Sequence, residues 1–87
     1  MTLEQLQYIC TIAHNSSLSA AADELFISQQ ALSKSVDKLE HELGYPLIFR
    51  THKGISLTAE GNIFVKHAQK VLDQVNELYH LNTLTEE

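Results

Sequence analysis

The chain has 87 residues, which suffices for one domain with a modest core and excludes a multi-domain enzyme. Hydrophobic residues make up 44% and charged residues 20%, with three Gly and one Pro, as in a folded domain rather than a disordered segment. Six Lys and Arg against eleven Asp and Glu give a net charge of −5, which taken alone argues against DNA or an anionic membrane as partner.

The first helix is predicted over about residues 3–14, where apolar residues recur at intervals of three and four. Thr2 and Gln5 have the spacing of a capping box at its start. The polar residues 15–17 favour a turn and end the pattern. Cys10 lies on the apolar face, which favours a small buried hydrophobe over a reactive thiol.

Two further helices follow closely in the sequence. A two-turn helix is predicted over about residues 18–25, with Ser17 or Ser19 as its N-cap and an alanine run that allows close helix packing. Ser28 has the position of a second N-cap, and the apolar stripe after it continues until Gly44. Two helices joined by a turn of three to four residues are typical of a helix-turn-helix.

The outer surface of this third helix carries side chains that can contact DNA. Gln suits an adenine edge, Lys suits guanine or phosphate, and Ser suits either a base or a phosphate. The free amides after Ser28 also suit a phosphate. The structural alternative is a solvated helix face, which carries the same residue types. The residues opposite the apolar stripe are Gln29, Gln30, Ser33, Lys34, Asp37, Lys38 and His41.

A small hairpin is predicted next, because residues 47–49 and 55–57 are apolar and flank a polar segment in which Gly54 supplies the turn. A strand pair after a helix-turn-helix is a wing. Its tip is predicted to carry three basic side chains and no acid, namely Arg50, His52 and Lys53. Such a cluster can contact phosphate or enter a minor groove, and a solvated loop is the alternative.

A long last helix is predicted from Thr58, its N-cap, to about residue 84, with Gly61 tolerated in the first turn. Some 26 residues would form a rod of ~39 Å, longer than such a domain is wide, so part of its apolar face is expected to contact another chain. The apolar face of this helix includes Phe64, Ala68, Val71, Leu72, Val75, Leu78 and Tyr79.

Four segments in order resemble the LysR-type bacterial transcriptional regulators. Residues 18–25 (LSAAADEL) are similar to the family's Ser-aromatic-Ser-x-Ala-Ala-x-x-Leu segment, and residues 28–40 (SQQALSKSVDKLE) to its Ser-Gln-Pro-Ala-Leu-Ser-Arg-x-Ile-x-x-Leu-Glu helix. Residues 43–50 (LGYPLIFR) and 57–61 (LTAEG) resemble the entry to the wing and the start of the linker helix.

The resemblance implies a mainly α winged helix-turn-helix, with three helices and a two-stranded wing over residues 1–57, followed by a long linker helix over residues 58–87. It implies a homodimer that pairs through the apolar face of the last helix, with those residues at the dimer interface, and binds promoter or operator DNA with the third helix (about 29–43) in the major groove and the wing on the backbone. The single cysteine separately favours a reducing compartment, the cytoplasm. The implied DNA contacts are Ser28, Gln29, Gln30, Ser33, Lys34, Lys38, Arg50, His52 and Lys53.

Some positions depart from the family pattern. Gln30 and Lys34 stand where proline and arginine are usual, Asp37 puts a negative charge on the DNA-facing side, and Phe49 replaces a usual polar residue. Family members continue into an effector-sensing domain. The full-length protein can form an oligomer larger than the dimer. We therefore interpret this sequence as the DNA-binding region of a longer regulator or a fragment encoded as such.

Other functions are less favoured by the sequence. The five His are scattered and the lone Cys lacks a nucleophile context, so neither an enzyme nor a cofactor is predicted. Asp73, Glu77 and His80 share a helical face that could hold a metal, but a solvated face is favoured. With no apolar stretch near ~20 residues, no membrane partner is expected.

The main alternative is a winged-helix module that dimerises through its last helix and binds protein instead of DNA. The acidic net charge supports it, but that charge is uneven along the chain. Residues 28–54 carry four Lys and Arg against three acids, whereas residues 1–27 carry three acids and no base. The basic side chains are therefore concentrated where DNA would lie.

Overall fold

The computed structural model describes residues 1–84 and has the helix-turn-helix, wing and long helix in the predicted order. Residues 85–87, which the sequence analysis assigned to the linker segment, lie outside the described residues. The elements are α1 (Leu3–Ala13), α2 (Leu18–Leu25), α3 (Gln29–Leu43), β1 (Ile48–Thr51), β2 (Gly54–Leu57), α4 (Ala59–Tyr79) and the single turn α5 (Leu81–Leu84).

Side-chain caps fix where the first three helices begin. The capping box is confirmed, since Thr2 Oγ1 accepts from the Gln5 amide at 3.1 Å and Gln5 Oε1 accepts from the Thr2 amide at 2.9 Å. Ser17, not Ser19, caps α2, because its Oγ accepts from the Ala20 amide at 3.1 Å. Ser28 caps α3 as predicted.

The core lies between the three helices of the first half and the segment that leads into the wing. Ile9 of α1, Leu32 and Leu39 of α3 and Leu47 are fully buried there. The small side chains of Ala21 and Ala22 are also buried, so α2 approaches its neighbours closely, as the alanine run predicted.

The turn between α2 and α3 contains a strained residue. Phe26 has φ 59° and ψ 38°, the left-handed region in which glycine or asparagine is usual. Its amide donates to the Asp23 carbonyl and the Ile27 amide donates to the Ala22 carbonyl, which together form a Schellman motif. Its side chain is 94% exposed, so no burial offsets the backbone strain.

The wing is tighter than predicted. Thr51 of β1 pairs with Gly54 of β2, which leaves His52 and Lys53 as a two-residue turn. Arg50 is therefore not at the tip, as the sequence analysis expected, but within β1 opposite Ile55. Ladder pairing extends nearer to the turn than the apolar residues alone indicated.

Gly54 does more than supply the turn. Its φ of 127° favours glycine, and an added Cβ would overlap the carbonyl oxygen of Ser16. The neighbouring Ile55 amide donates to that same carbonyl at 3.1 Å. The close approach attaches the wing to the loop between α1 and α2.

The last helix is shorter than predicted. α4 ends at Tyr79, because His80 has φ −115° and ψ 13° and its amide donates to the Glu77 carbonyl, three residues back. The expected continuous helix to residue 84 is therefore wrong, and 21 helical residues give a rod of ~32 Å. Within residues 1–84, the structure contains no helix with the length and apolar character that crossing a bilayer requires.

The start of α4 is fastened to the root of the wing. The Thr58 amide donates to the Leu47 carbonyl at 2.9 Å, and Thr58 Oγ1 donates to the Pro46 carbonyl at 2.8 Å. Thr58 Oγ1 also accepts from the Gly61 amide at 2.8 Å, which caps the helix. A Cβ on Gly61 would overlap the Leu47 carbonyl oxygen, so Gly61 is required by close packing rather than merely tolerated.

We expect Gly61→Ala to lower the free energy of unfolding by about 2–3 kcal/mol, because the new methyl group displaces the Leu47 carbonyl. Helix propensity alone predicts the opposite sign, a gain of about 1 kcal/mol. Urea denaturation followed by circular dichroism measures the difference. Gly44→Ala is the control, since Gly44 faces open space and only its positive φ opposes the change. A more stable Gly61→Ala protein would contradict the close approach.

We expect Phe26→Asn to raise the free energy of unfolding by about 1 kcal/mol, because asparagine tolerates the left-handed conformation and the exposed ring contributes no burial. In a domain of this size that corresponds to a rise in Tm of about 4–8 °C. Phe26→Ala removes the ring but keeps the strain, so it should leave Tm nearly unchanged. A lower Tm for Phe26→Asn would mean that the ring stabilises the fold.

Candidate nucleic-acid interface

Helix α3 separates the core from the candidate interface. Leu32, Val36 and Leu39 face inward and are buried, so the residues between them on the helical wheel face solvent. Of the side chains predicted to contact DNA on this helix, Ser33 is half-buried and the others are exposed, namely Ser28, Gln29, Gln30, Lys34 and Lys38.

Two grooves flank the exposed surface of α3. One lies on the wing side, where Gln29 and Ser19 face Arg50 and His52. The other lies on the α1 side, where Lys34 and Lys38 line the same groove as Thr2 and Gln5. The wing-side groove thus brings Gln29 together with Arg50 and His52, whereas Lys34 and Lys38 lie in the separate groove next to α1.

Ser28 keeps hydrogen-bonding capacity beyond its role as a cap. Its Oγ accepts from the Ala31 amide at 3.0 Å, which leaves the hydroxyl proton available. The hydroxyl and the unpaired amides of the first helical turn point out of the N-terminus of α3, the end that favours an anion. This arrangement suits contact with a backbone phosphate.

The wing turn is ordered by Thr51. Its hydroxyl donates to the Gly54 carbonyl at 3.2 Å and accepts from the Lys53 amide at 3.3 Å. His52 and Lys53 are exposed at the turn. Both basic side chains therefore extend from a defined backbone.

Arg50 is not a free cation. Its Nη2 donates to Asp37 Oδ1 of α3 at 2.9 Å. The sequence analysis recognised Asp37 as an acid on the DNA-facing side but did not find this pair, because the two residues are thirteen positions apart. The pair joins β1 of the wing to the solvent-exposed side of α3.

Glu40 is a structural contributor that the sequence analysis did not single out. Its Oε2 accepts from the Leu47 amide at 2.6 Å and from the Ile48 amide at 3.2 Å. Charge-assisted hydrogen bonds of this kind are stronger than neutral ones. Glu40 therefore sets the distance between the wing and α3, on which the shape of the interface depends.

The residues predicted at the dimer interface divide into two groups. Ala68 is 3% exposed and packs in the core of its own chain, so it is not available to a second copy. Phe64 and Leu72 also pack partly against that core. The spacing of apolar residues could not distinguish contacts with α1 from contacts with a partner, because both sets of residues lie on one wide apolar face of α4. The second group comprises the exposed Val71, Leu78 and Tyr79, together with Val75, which is half-buried but does not pack against the core.

Cys10 is buried, as predicted. Burial raises the pKa of the Cys10 thiol, and the nearby Asp73 carboxylate raises it further. The thiol is therefore kept protonated and unreactive at neutral pH. Among residues 1–84, no group of three His, Cys, Asp or Glu side chains is placed to hold a metal ion.

The sequence matches the family described as bacterial regulatory helix-turn-helix proteins of the lysR family, over residues 3–62. It is 39% identical over 72 residues to the transcriptional regulator ClcR of Pseudomonas putida, covering 83% of this chain and 24% of that protein. It is 36% identical over 78 residues to BenM of Acinetobacter baylyi, covering 90% of this chain and 26% of that protein. The chain thus spans about a quarter of the length of these relatives.

The fold is similar to solved structures over almost its whole length. The crystal structure of a CbnR DBD–DNA complex has a TM-score of 0.90 and 31% identity, and each chain covers all of the other. A BenM DBD in complex with benA site 1 DNA also has a TM-score of 0.90, with 33% identity over 98% of this chain and 99% of that one.

Proposed function

We propose that this chain, which belongs to the lysR family of bacterial regulatory helix-turn-helix proteins, binds double-stranded DNA sequence-specifically as a dimer. In this proposal α3 occupies the major groove and the wing lies on the phosphate backbone. The observation that carries it is the groove in which Gln29 of α3 lies opposite Arg50 and His52 of the wing. The similar fold of two structures solved with DNA supports the same conclusion.

The proposed readout comes from the first two turns of α3. The amides of Gln29 and Gln30 can donate and accept at adenine, and Lys34 can reach guanine O6 and N7 or a phosphate. Ser33 is short and half-buried, so only a groove that closely follows the helix would bring a base within its reach. We assign Ser28, Lys38, Arg50, His52 and Lys53 to the backbone, where they would position the protein without reading bases.

The net charge of −5 shapes this proposal rather than opposing it. Non-specific affinity depends on the number of phosphates that Lys and Arg neutralise, and this surface offers few cations. Affinity must therefore come from base contacts and from the pairing of two subunits on two half-sites.

We propose that the dimer forms through the exposed apolar side chains of α4. Val71 and Leu78, the latter 66% exposed, lie one above the other two turns apart, with Val75 between them. An exposed row of this kind on a helix is typical of a seam with a second helix. The half of α4 that packs against α1 would hold this seam at a constant distance from α3.

The competing function, a winged-helix module that binds protein alone, is favoured by the acidic charge and by the same exposed row on α4. An electrophoretic mobility-shift titration on randomised duplexes discriminates between the two. DNA binding should weaken with salt, with a log–log slope of about −0.9 for each phosphate neutralised. The absence of any shift at low salt would favour the protein-binding module.

We expect Gln29→Ala and Ser33→Ala to relax sequence preference, because each good base contact contributes about 1–3 kcal/mol of discrimination. Selection of duplexes from a random pool measures the information at each base position. Gln69→Ala on α4 is the control, since its side chain bonds to Asp73 on the same helix and should leave selectivity unchanged. Selectivity that survives both α3 substitutions would exclude these residues from base readout.

We expect Val71→Asp and Leu78→Asp to produce folded monomers, because each would place charges in an apolar seam. Sedimentation velocity measures the association state, and circular dichroism checks the fold. Lys66→Asp is the matched control, since Lys66 is exposed on the opposite side of α4 and should leave the dimer intact. An unchanged dimer in both seam variants would contradict the assignment of this interface.

A further inference from the structure

The three acidic side chains of α3 have different partners. The Glu40 carboxylate accepts from two backbone amides of the wing root, and Glu42 pairs with the Met1 amino group at 2.6 Å. Asp37 pairs instead with Arg50, one of the basic side chains proposed to contact DNA. Its side chain is 62% exposed, so the carboxylate lies at the surface and not in a structural core.

This ion pair changes how much positive charge the interface offers. Among the ion pairs of the described residues none includes Lys34, Lys38 or Lys53, so these three present a full charge to DNA. Arg50 does not, because the Asp37 carboxylate lies 2.9 Å from its Nη2 and the pair together carries no net charge. The wing therefore adds little electrostatic attraction through Arg50.

Arg50 nevertheless keeps donors for a phosphate. A guanidinium has five N–H donors in a rigid plane, and the structure assigns one nitrogen, Nη2, to Asp37. The side chain is 41% exposed, so other donors remain accessible to a partner outside the protein. The carboxylate thus fixes the plane of the guanidinium while leaving part of its edge open.

We propose that Asp37 is a positioning residue for Arg50 and, through it, a determinant of DNA specificity. The pair presents one oriented hydrogen-bond donor to a single backbone phosphate once α3 is seated by its base contacts. On other DNA sequences α3 makes no base contacts and binding depends on charge. The Asp37–Arg50 pair carries no net charge, so it contributes little to that non-specific binding. This inference rests on the proposed function, because it presupposes that the surface binds DNA.

The experiment compares two duplexes of equal length and composition, one selected by the wild-type chain and one scrambled, over a NaCl series. We expect Asp37→Asn to tighten binding to the scrambled duplex about five- to eightfold at 0.1–0.15 M salt and to steepen its salt slope by about 0.9. That is the effect of one added phosphate neutralisation. Affinity for the selected duplex should change less, so the specificity ratio should fall.

The second half of the experiment tests coupling between the two residues. In the wild-type background, Arg50→Ala leaves the Asp37 carboxylate unpaired, so it should weaken binding to the scrambled duplex by repulsion without flattening the salt slope. In the Asp37→Asn background the same change should flatten the slope by about 0.9. Arg50→Lys should weaken binding to the selected duplex about as much as Arg50→Ala. The lysine ammonium lacks the planar set of donors with which a guanidinium can bind the Asp37 carboxylate and a phosphate at the same time.

Asp73→Asn is the matched control, since it makes the same change in net charge on α4, away from α3 and the wing. If Asp37→Asn behaves like this control, or if Arg50→Ala flattens the slope equally in both backgrounds, the inference is overturned while DNA binding stands. If the wild-type chain binds neither duplex, the proposed function fails and this inference fails with it. Both substituted side chains are exposed, and circular dichroism checks that every variant is folded.

Discussion

The geometry of this molecule depends on the two-residue segment Pro46-Leu47, which is held from both sides. Glu40 of α3 accepts from the Leu47 amide, and Thr58 donates its amide to the Leu47 carbonyl and its hydroxyl to the Pro46 carbonyl. One peptide segment therefore connects α3, the wing and α4. Because Gly61 lets the α4 backbone reach the Leu47 carbonyl, the start of the long helix is held in a fixed position relative to α3 and the wing.

The partners of the acidic side chains on α3 explain how a chain with net negative charge can carry the proposed DNA-binding surface. Two of the three acids on α3 are occupied away from the exposed centre of the helix: Glu40 by backbone amides and Glu42 by an amino group. The third, Asp37, is the one that lies where DNA is proposed to bind, and it is paired with an arginine. Each acid of α3 thus has a partner that limits its effect on DNA. The net charge of the whole chain therefore does not predict what this surface attracts.

The helices, their caps and the outer surface of α3 could be predicted because they depend on neighbouring residues. The spacing of Thr2 and Gln5 and the place of Ser28 specify caps within one turn of helix. What could not be predicted depends on tertiary approach. The pair of Asp37 with Arg50, the overlap that excludes a side chain at Gly61, and the strained backbone of Phe26 arise from distances or dihedral angles that no local pattern records.

The apolar stripe of α4 shows the same limit, since a helical period gives the width of a hydrophobic face but not its partner. Ala68 packs into the core of its own chain, whereas Val71 and Leu78 stay exposed on the adjoining strip of the same helix. The apolar face of α4 is wider than α1 can cover. A helix with such a face can pack in the core of its own chain and still contact a second copy. If the exposed strip is the dimer interface that we propose, stability of the subunit and association of two subunits depend on different residues of α4, and each can change without the other.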